Sequence, residues 1–256
     1  MKTILNKIKF HYTFIIVAIG FILTGYFSNI IIFTSIIIIH ELGHYLVGIY
    51  YNYKVDKITI YPYGGITKFT TLINTSINKD LMISISGLIM QSIYYIIITI
   101  LYTNGYIREY IYNSFTLYHN SILFFNILPI IPLDGSKIIN LILSKYIHYK
   151  LADKLTIAIS LITIIILLEG RVFEYNYSFI MILGLLMKNI YTSYQNIEYT
   201  YNKFILERYL YNIEYKKKKI IKDKDHMYKN KTHYFNINKK LIKEKDYLNS
   251  LYNKVK

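Results

Sequence analysis

The chain contains no cysteine and no tryptophan among its 256 residues. Without cysteine it can form neither disulfide bonds nor thiolate metal sites, so any bound metal must be held by histidine, aspartate or glutamate. The amino terminus resembles a signal peptide, because Lys2, Lys7 and Lys9 precede an apolar stretch, but no small-residue cleavage site follows it. Since further apolar segments come next, we interpret this stretch as a retained first helix.

Apolar and basic residues occupy different parts of the chain. A mean hydropathy of +0.29 coexists with a formal net charge of +15. Residues 12–190 are mostly apolar, whereas residues 200–256 are mostly basic. The composition therefore predicts a membrane domain over residues 1–195, followed by a basic cytoplasmic tail over residues 196–256.

Six apolar segments are candidates to cross a bilayer, whose hydrocarbon core of about 30 Å needs roughly 20 residues of helix. They cover residues 11–27, 29–51, 80–103, 115–143, 152–168 and 177–195. Pro129 and Pro132 interrupt the fourth segment, which frees backbone carbonyls that protein or water must satisfy. The sequence thus predicts an all-α polytopic membrane protein with about six transmembrane helices.

The distribution of basic residues favours one orientation in the membrane. If the amino terminus is cytoplasmic, the cytoplasmic side carries Lys2, Lys7, Lys9, Lys54, Lys57, Lys68, Lys79, Lys145, Lys150 and Lys154. The opposite side carries Arg108 and Arg171, and the basic tail falls on the cytoplasmic side. We therefore expect an integral protein of a bacterial cell membrane with both termini in the cytoplasm.

A His-Glu-Leu-Gly-His sequence at residues 40–44 ends the apolar run Ile30–Ile39. Residues four apart lie on the same face of a helix, so His40 and His44 can bind one metal ion. Ionisable groups at membrane depth cost a few kcal/mol each even on a lenient scale, so they usually serve a function. Glu41 lies beside both ligands and is the candidate base that accepts a proton from an attacking water.

A catalytic zinc usually takes three protein ligands, so a further ligand is expected from another segment. Apart from Asp80 and Asp153, which lie at the very start of their segments, Asp134 is the one acidic residue elsewhere within an apolar span. At 1.5 Å of rise per residue, its depth in the fourth segment agrees with that of His40 and His44 within about one turn. The alternative reading of Asp134 is an Asp-Gly turn that ends a helix at the interface.

These two motifs together resemble those of the site-2 protease family of intramembrane zinc metalloproteases, peptidase M50. The second motif is the Asn-x-x-Pro-x-x-Pro-Leu-Asp-Gly sequence at residues 126–135. Within that family the compact six-span layout is most similar to the stage IV sporulation protein FB group, which processes a membrane-associated sigma-factor precursor. The resemblance covers about residues 1–195.

The resemblance implies that His40, His44 and Asp134 bind Zn²⁺ and that Glu41 is catalytic. Imidazole and carboxylate ligands also admit iron or cobalt. The resemblance further implies that Asn126 and Pro132 lie beside the metal and help to hold substrate. The chain departs from the family pattern after Asp-Gly, where Ser136 and Lys137 replace the usual Gly and Arg.

Residues 55–70 form a predicted β-hairpin between the second and third spans. Ile58 and Ile60 alternate with polar residues, and Gly64-Gly65 can reverse the chain. Because an unwound substrate needs new backbone partners in a membrane, it could add to an exposed edge of this hairpin as an extra strand. A membrane-surface hairpin without substrate contact is an equally weighted alternative.

Three roles are considered for the basic tail, which includes the run Lys216–Lys219. Attraction to anionic lipid is the commonest, at about 1 kcal/mol per basic residue near the surface. Docking of an acidic cytosolic substrate is a sharper hypothesis. Nucleic acid is not expected as a partner, because the tail shows no groove-reading motif.

Taken together, the patterns predict an intramembrane zinc endopeptidase that cleaves a membrane-associated protein near the cytoplasmic face. The resemblance makes a sigma-factor precursor in sporulation the first candidate substrate. The alternatives are an anti-sigma factor or a signal-peptide remnant as substrate, and a non-proteolytic metal-binding protein or transporter. A transporter would carry polar residues along a path, whereas these form one cluster. Unrestrained cleavage in a membrane is hazardous, so we also expect an inhibitory membrane protein partner, which no residue identifies.

Overall fold

The computed structural model describes residues 4–62, 64–170, 177–237 and 239–252, so Lys2 and Arg171 lie outside the described residues. The described chain is mostly helical. Its helices are α1 Tyr12–Leu23, α2 Phe27–Tyr50, α3 Ile77–Thr103, α4 Glu109–Ile127, α5 Asp134–Tyr146, α6 Tyr149–Glu169, α7 Tyr177–Gln195, α8 Ile197–Tyr211 and α9 Glu244–Tyr252. Its strands are β1 Ile8–Phe10, β2 Val55–Tyr61, β3 Gly64–Phe69, β4 Lys218–Ile221, β5 Thr232–Ile237 and β6 Lys240–Lys243.

Three of the described helices, α2, α3 and α6, are long and apolar enough to cross a membrane, and α1 is a shorter apolar helix. Large apolar side chains remain exposed along α3, including Ile89, Ile93, Ile96, Ile97 and Ile100. Contiguous exposed apolar surface of this kind needs a nonaqueous partner, and lipid supplies one. These helices therefore have the length and the surface of membrane spans.

The chain divides into two compact units, each described here by itself. The first contains Met1–Thr71 and Met82–Leu128, and the second contains Leu72–Leu81 and Pro129–Lys256. Helix α3 begins in the residues of the second unit and continues in those of the first.

The first unit is built on α2, which packs against α1, α4 and the strands β2 and β3. Its core includes Ile36, Ile37, Ile60, Phe115 and Ile122, all buried. The sheet has the order β1-β2-β3, with β2 parallel to β1 and antiparallel to β3. Strand β2 therefore has a neighbour on both sides, and β3 is an edge strand of this sheet.

The apolar segment 115–143, predicted as one interrupted span, contains two separate helices. Helix α4 ends at Ile127 and α5 begins at Asp134. A proline disfavours helical geometry in the residue before it, and Leu128 accordingly has an extended ψ of 136°. In the second unit, Ser160 Oγ of α6 accepts from Ile131 N at 3.2 Å, and its one hydrogen is shared between Thr156 O at 2.8 Å and Pro129 O at 3.0 Å. A side chain of the protein therefore binds the backbone at the break in the helix.

The residues of the predicted tail are folded in the second unit. Strand β4 pairs in parallel with β5, and β5 pairs antiparallel with β6. Helices α8 and α9 contact each other. Aromatic and aliphatic side chains fill the space between the elements, namely Tyr149, Tyr201, Phe204, Ile205, Ile221, Met227, Phe235 and Leu248. The lysine-rich segment thus encloses an apolar core, to which Tyr149 of α6 contributes.

Candidate metal centre

Helix α2 presents His40, Glu41 and His44 within about one turn, and residues at spacings of three and four lie on the same side of a helix. All three side chains are buried, at 2%, 2% and 4% exposure. One potential ligand atom from each lies within 4.8 Å of the others. The two imidazoles meet edge to face, and their Nε2 atoms are 3.1 Å apart. The predicted motif therefore forms a compact buried site.

The outer nitrogen of each imidazole is bound by a group that fixes the position of its proton. His44 Nδ1 lies 2.6 Å from the carbonyl oxygen of Ile83, which can only accept, so Nδ1 carries the hydrogen. His40 Nδ1 lies 3.0 Å from Gln91 Oε1. Gln91 Nε2 donates to the carbonyl oxygen of His119 at 3.0 Å, which directs Oε1 towards His40. Both histidines are therefore Nδ1–H tautomers when neutral.

The two Nε2 atoms face each other across a short gap of 3.1 Å. Neutral imidazole nitrogen is the commonest metal ligand in proteins, and at this separation both nitrogens can bind the same divalent cation. Gly87 leaves the space that such an ion needs, since a Cβ at this position would overlap His44 Nε2 and lie 2.7 Å from His40 Nε2. The donor set and the space both fit a zinc site.

The residues that support the histidines share one face of α3. Ile83, Gly87 and Gln91 are spaced four residues apart, so they lie one above another on the helix. They provide in turn the acceptor for His44, the space between the Nε2 atoms and the acceptor for His40. Sequence reasoning missed this face, because Ile, Gly and Gln at that spacing resemble an ordinary apolar helix. The polar residue Gln91 within a predicted span was a signal that could have indicated it.

Glu41 is held by strand β3. Thr67 Oγ1 donates a hydrogen bond to Glu41 Oε2 at 2.6 Å. Gly65 lies against the same carboxyl group, and a Cβ at this position would overlap Glu41 Cδ and Oε1. Opposite them on β2, Ile58 pairs with Thr67 and Ile60 pairs with Gly65. Of the predicted hairpin residues, Gly65 thus lies directly against the candidate base, and Ile58 and Ile60 lie on the neighbouring strand.

Asp134 begins helix α5 in the second unit and is buried at 3% exposure. Its Oδ1 forms an ion pair with Lys137 Nζ at 2.7 Å, so the lysine that departs from the family pattern contacts the candidate third ligand. As the first residue of α5, Asp134 starts a helix, whereas the alternative reading placed it at a helix end. Its role as a metal ligand remains a prediction.

The other predicted substrate-binding residues lie on several elements. Asn126 is buried near the end of α4 and donates from Nδ2 to Ile122 O at 3.1 Å. Pro132 follows a cis peptide bond in the second unit. Gly64 begins β3 with a φ of +145°, a conformation that favours glycine. Contact of these residues with substrate remains a prediction.

A family model described as peptidase family M50 matches residues 28–116. This range contains α2 with its His-Glu-His group, strands β2 and β3, and the face of α3 that supports the histidines. The chain carries a peptidase M50 domain, the domain of the site-2 proteases. Zinc is the metal of this family of membrane metalloproteases, in agreement with the ligand geometry.

The chain is similar to two curated proteins. The chain is 29% identical over 206 residues to stage IV sporulation protein FB of Bacillus subtilis (strain 168), covering 79% of this chain and 71% of that protein. It is 30% identical over 162 residues to a zinc metalloprotease of Methanocaldococcus jannaschii, covering 58% of this chain and 46% of the relative. Among solved structures, the site-2 protease from Methanocaldococcus jannaschii matches with a TM-score of 0.51 and 25% identity, covering 77% and 91% of the two chains.

Proposed function

We propose that this chain is an intramembrane zinc endopeptidase that cleaves a membrane-associated protein. The observation that carries the proposal is the convergence of His40 Nε2 and His44 Nε2 beside Glu41, within an apolar helix long enough to span a membrane. His40, His44 and Asp134 would hold the metal. When bound, zinc supplies a Lewis acid that lowers the pKa of water and polarises the scissile carbonyl.

Glu41 acts as the general base. Thr67 engages its Oε2, which leaves Oε1 as the oxygen that accepts a proton from the attacking water. The same carboxyl group then returns a proton to the leaving amine. The Nδ1–H bonds of His40 and His44 to Gln91 and the Ile83 carbonyl keep the imidazoles oriented throughout.

The unwound substrate pairs with strand β3. Strand β2 is flanked on both sides, so Ile58 and Ile60 support β3 and the added strand pairs with β3 itself. Gly65 and Thr67 bring this strand to Glu41, which would place the scissile bond near the base. A hairpin that lies at the membrane surface without touching substrate is the competing reading.

Strand addition can be tested by disulfide trapping, because the chain has no cysteine of its own. Lys68→Cys places a thiol on β3, and Lys9→Cys places one on β1 at the opposite edge; both lysines are exposed. With Glu41→Gln present to prevent cleavage, substrates carrying single cysteines near the scissile bond should crosslink to residue 68 and not to residue 9. Equal trapping at both positions would refute pairing with β3.

We further propose six spans with both termini in the cytoplasm and the site near the cytoplasmic face. The lysine distribution supports this arrangement. Single cysteines introduced at Lys54 and Arg108, on opposite sides in this topology, should differ in labelling by a membrane-impermeant maleimide added to intact cells. Only position 108 should react from outside.

The substrate proposed first is a membrane-associated sigma-factor precursor of sporulation, supported by the similarity to stage IV sporulation protein FB. The deciding experiment is co-expression of such a precursor with the intact chain and with Glu41→Gln, together with quantification of bound zinc. Cleavage only by the intact chain, with equal zinc in both, is expected. Cleavage that survives Glu41→Gln would exclude this base, and zinc without product in either would redirect the search to anti-sigma factors or signal-peptide remnants.

A further inference from the structure

Helix α8 binds the backbone of the segment that connects β3 to α3. Glu207 Oε2 accepts hydrogen bonds from the backbone nitrogens of Ile73 and Asn74, at 2.7 and 3.1 Å. The same oxygen accepts from Asn74 Nδ2 at 3.1 Å. Glu207 is 5% exposed and Asn74 is 7% exposed. One buried carboxylate thus holds two consecutive residues of a connecting segment that is more than a hundred positions away in sequence.

Asn74 is fixed from every side. Its Oδ1 accepts from Arg208 Nε at 2.8 Å, and its Nδ2 also donates to Phe204 O at 2.9 Å. Its backbone oxygen accepts from the hydroxyl of Tyr215 at 3.0 Å. The neighbouring Ile73 packs against the apolar core formed by the carboxyl-terminal elements. The segment is therefore part of that core.

Arg208 links this attachment to the rest of the carboxyl-terminal segment. Its NH1 forms a buried ion pair with Glu244 Oε1 of α9 at 2.9 Å. Its NH2 donates to the backbone oxygens of Tyr228 and Lys229, each at 2.7 Å. In each of these contacts the buried guanidinium group of Arg208 donates to a carboxylate or carbonyl oxygen. Removal of one partner of a buried charged group is strongly destabilising. We call Asn74, Glu207 and Arg208 the clamp.

A second attachment lies on the first turn of α3. Lys229 Nζ forms an ion pair with Asp80 Oδ2 at 2.6 Å, and Thr75 Oγ1 donates to the same oxygen at 2.7 Å. Both charged side chains are mostly buried, at 9% and 16% exposure. Asp80 is an acidic residue at a helix amino terminus, where its charge is favoured.

The held turn leads directly to the support of the metal ligands. Ile83, whose carbonyl accepts from His44, lies three residues after Asp80 on the same helix. Gly87 and Gln91 follow at intervals of four residues. A helix transmits a shift or rotation of its first turn along its axis, because its backbone hydrogen bonds keep its residues in register. Displacement at Asn74 or Asp80 would therefore move the acceptors that orient both imidazoles.

We propose that the carboxyl-terminal segment is a positioning device for the metal centre, acting through the clamp on the start of α3. The inference rests on the proposed function, because it assigns the clamp to the cleavage step. This role predicts a different effect on cleavage from the role of the tail in substrate docking. The clamp sets the geometry of catalysis for every substrate, whereas docking sets affinity for substrates with an acidic soluble part.

The test uses the full chain with Glu207→Met, which removes the shared acceptor, and Glu207→Gln, whose single amide oxygen can occupy the position of Oε2. Glu214→Met is the matched control, because Glu214 is an exposed carboxylate shortly after α8. In Glu207→Met we expect kcat to fall about 10- to 100-fold with KM within about twofold of the unsubstituted chain. Glu207→Gln should recover most of the rate, and Glu214→Met should leave it unchanged.

Two further measurements do not depend on turnover. Amide hydrogen exchange of residues 72–83 should accelerate in Glu207→Met, and the visible absorption spectrum of the Co²⁺-substituted protein should change, because the imidazoles lose their fixed orientation. Faster exchange with an unchanged Co²⁺ spectrum and unchanged kcat would overturn the proposal, as would a rise in KM alone. If the unsubstituted chain cleaves no substrate, the proposed function fails, but the Co²⁺ spectrum still decides whether the clamp controls the metal site.

Discussion

Thr67 and Glu41 are joined by a hydrogen bond of 2.6 Å between Thr67 Oγ1 and Glu41 Oε2. The bond connects the edge strand β3 to the candidate base on α2, and strand β2 lies between these two elements in the sequence. It holds the carboxylate in one rotamer and assigns the two oxygens different tasks. Binding of a substrate strand to β3 would therefore act directly on the orientation of the base.

The hydroxyl of Thr67 is accordingly expected to affect the chemical step. A hydrogen bond to a charged group contributes about 1.5–3 kcal/mol, which corresponds to roughly a tenfold or greater loss of kcat in Thr67→Val. Thr67→Ser keeps the hydroxyl and should retain most of the rate. Steady-state cleavage assays with bound zinc quantified in each variant check this. Equal rates for the Val and Ser variants would separate Thr67 from the base.

Gln91 is expected to control metal affinity. Its Oε1 accepts from His40 Nδ1, and its Nε2 is fixed by the carbonyl oxygen of His119. Loss of an outer partner of a ligating histidine typically lowers metal affinity about 10- to 100-fold, which we expect for Gln91→Leu. Gln91→Glu retains an acceptor for His40 and should bind metal more tightly than the Leu variant. Competition with a chelator gives the affinities, and a Leu variant that matches the unsubstituted chain would contradict the assignment.

Gly87 is expected to be required for metal binding, because any Cβ at this position would meet both Nε2 atoms. Gly87→Ala should lose bound zinc and cleavage together. Gly20→Ala is the matched control, since Gly20 lies on the apolar helix α1 and a Cβ added there would have no contact within 4 Å. Zinc analysis of the purified variants decides the question. Full zinc occupancy in Gly87→Ala would show that the ion does not lie between the two histidines.

The metal motif was predictable from sequence because His40, Glu41 and His44 lie within one turn of one helix, so their geometry is local. The groups around them were not, because Gln91, Gly87 and Thr67 reach the site through packing between elements. The interruption near Pro129 was visible in the sequence, but the contact of the connecting segment with Ser160 of α6 joins residues about 30 positions apart and was not. The folded state of the basic tail was hidden for a similar reason, since its apolar residues are spread among lysines.

His233 and Glu244 form a buried pair in the carboxyl-terminal segment. His233 Nδ1 donates to Glu244 Oε2 at 2.9 Å, and His233 Nε2 accepts from Tyr228 N at 2.9 Å, so the imidazole is held neutral. Burial lowers the pKa of His233. Burial alone would raise the pKa of Glu244, but the hydrogen bond from His233 and the charge of Arg208 outweigh it and lower that pKa.

Both shifts make the carboxyl-terminal segment less stable in acid. Because the pKa of His233 is lowered in the folded state, the unfolded chain takes up a proton first as the pH falls through the ordinary value of 6.5. The contribution of Glu244 is present above its ordinary pKa of 4.5 and is lost as the pH falls below it. Stability should therefore decline from about pH 6.5 downward.

Pulse proteolysis in urea, following cleavage within residues 197–252 of the detergent-solubilised protein, measures this decline. The urea concentration at the unfolding midpoint of the unsubstituted chain should decrease when the pH is lowered from about 7.5 to about 5.5. His233→Gln removes one of two histidines, with His148, whose pKa is lowered by burial. Its midpoint should therefore be lower at the higher pH and should vary less with pH than that of the unsubstituted chain. His11→Gln, in the first unit, is the comparison for a general effect of removing a histidine. A midpoint that stays constant in the unsubstituted chain would mean that His233 is not held neutral in the folded segment.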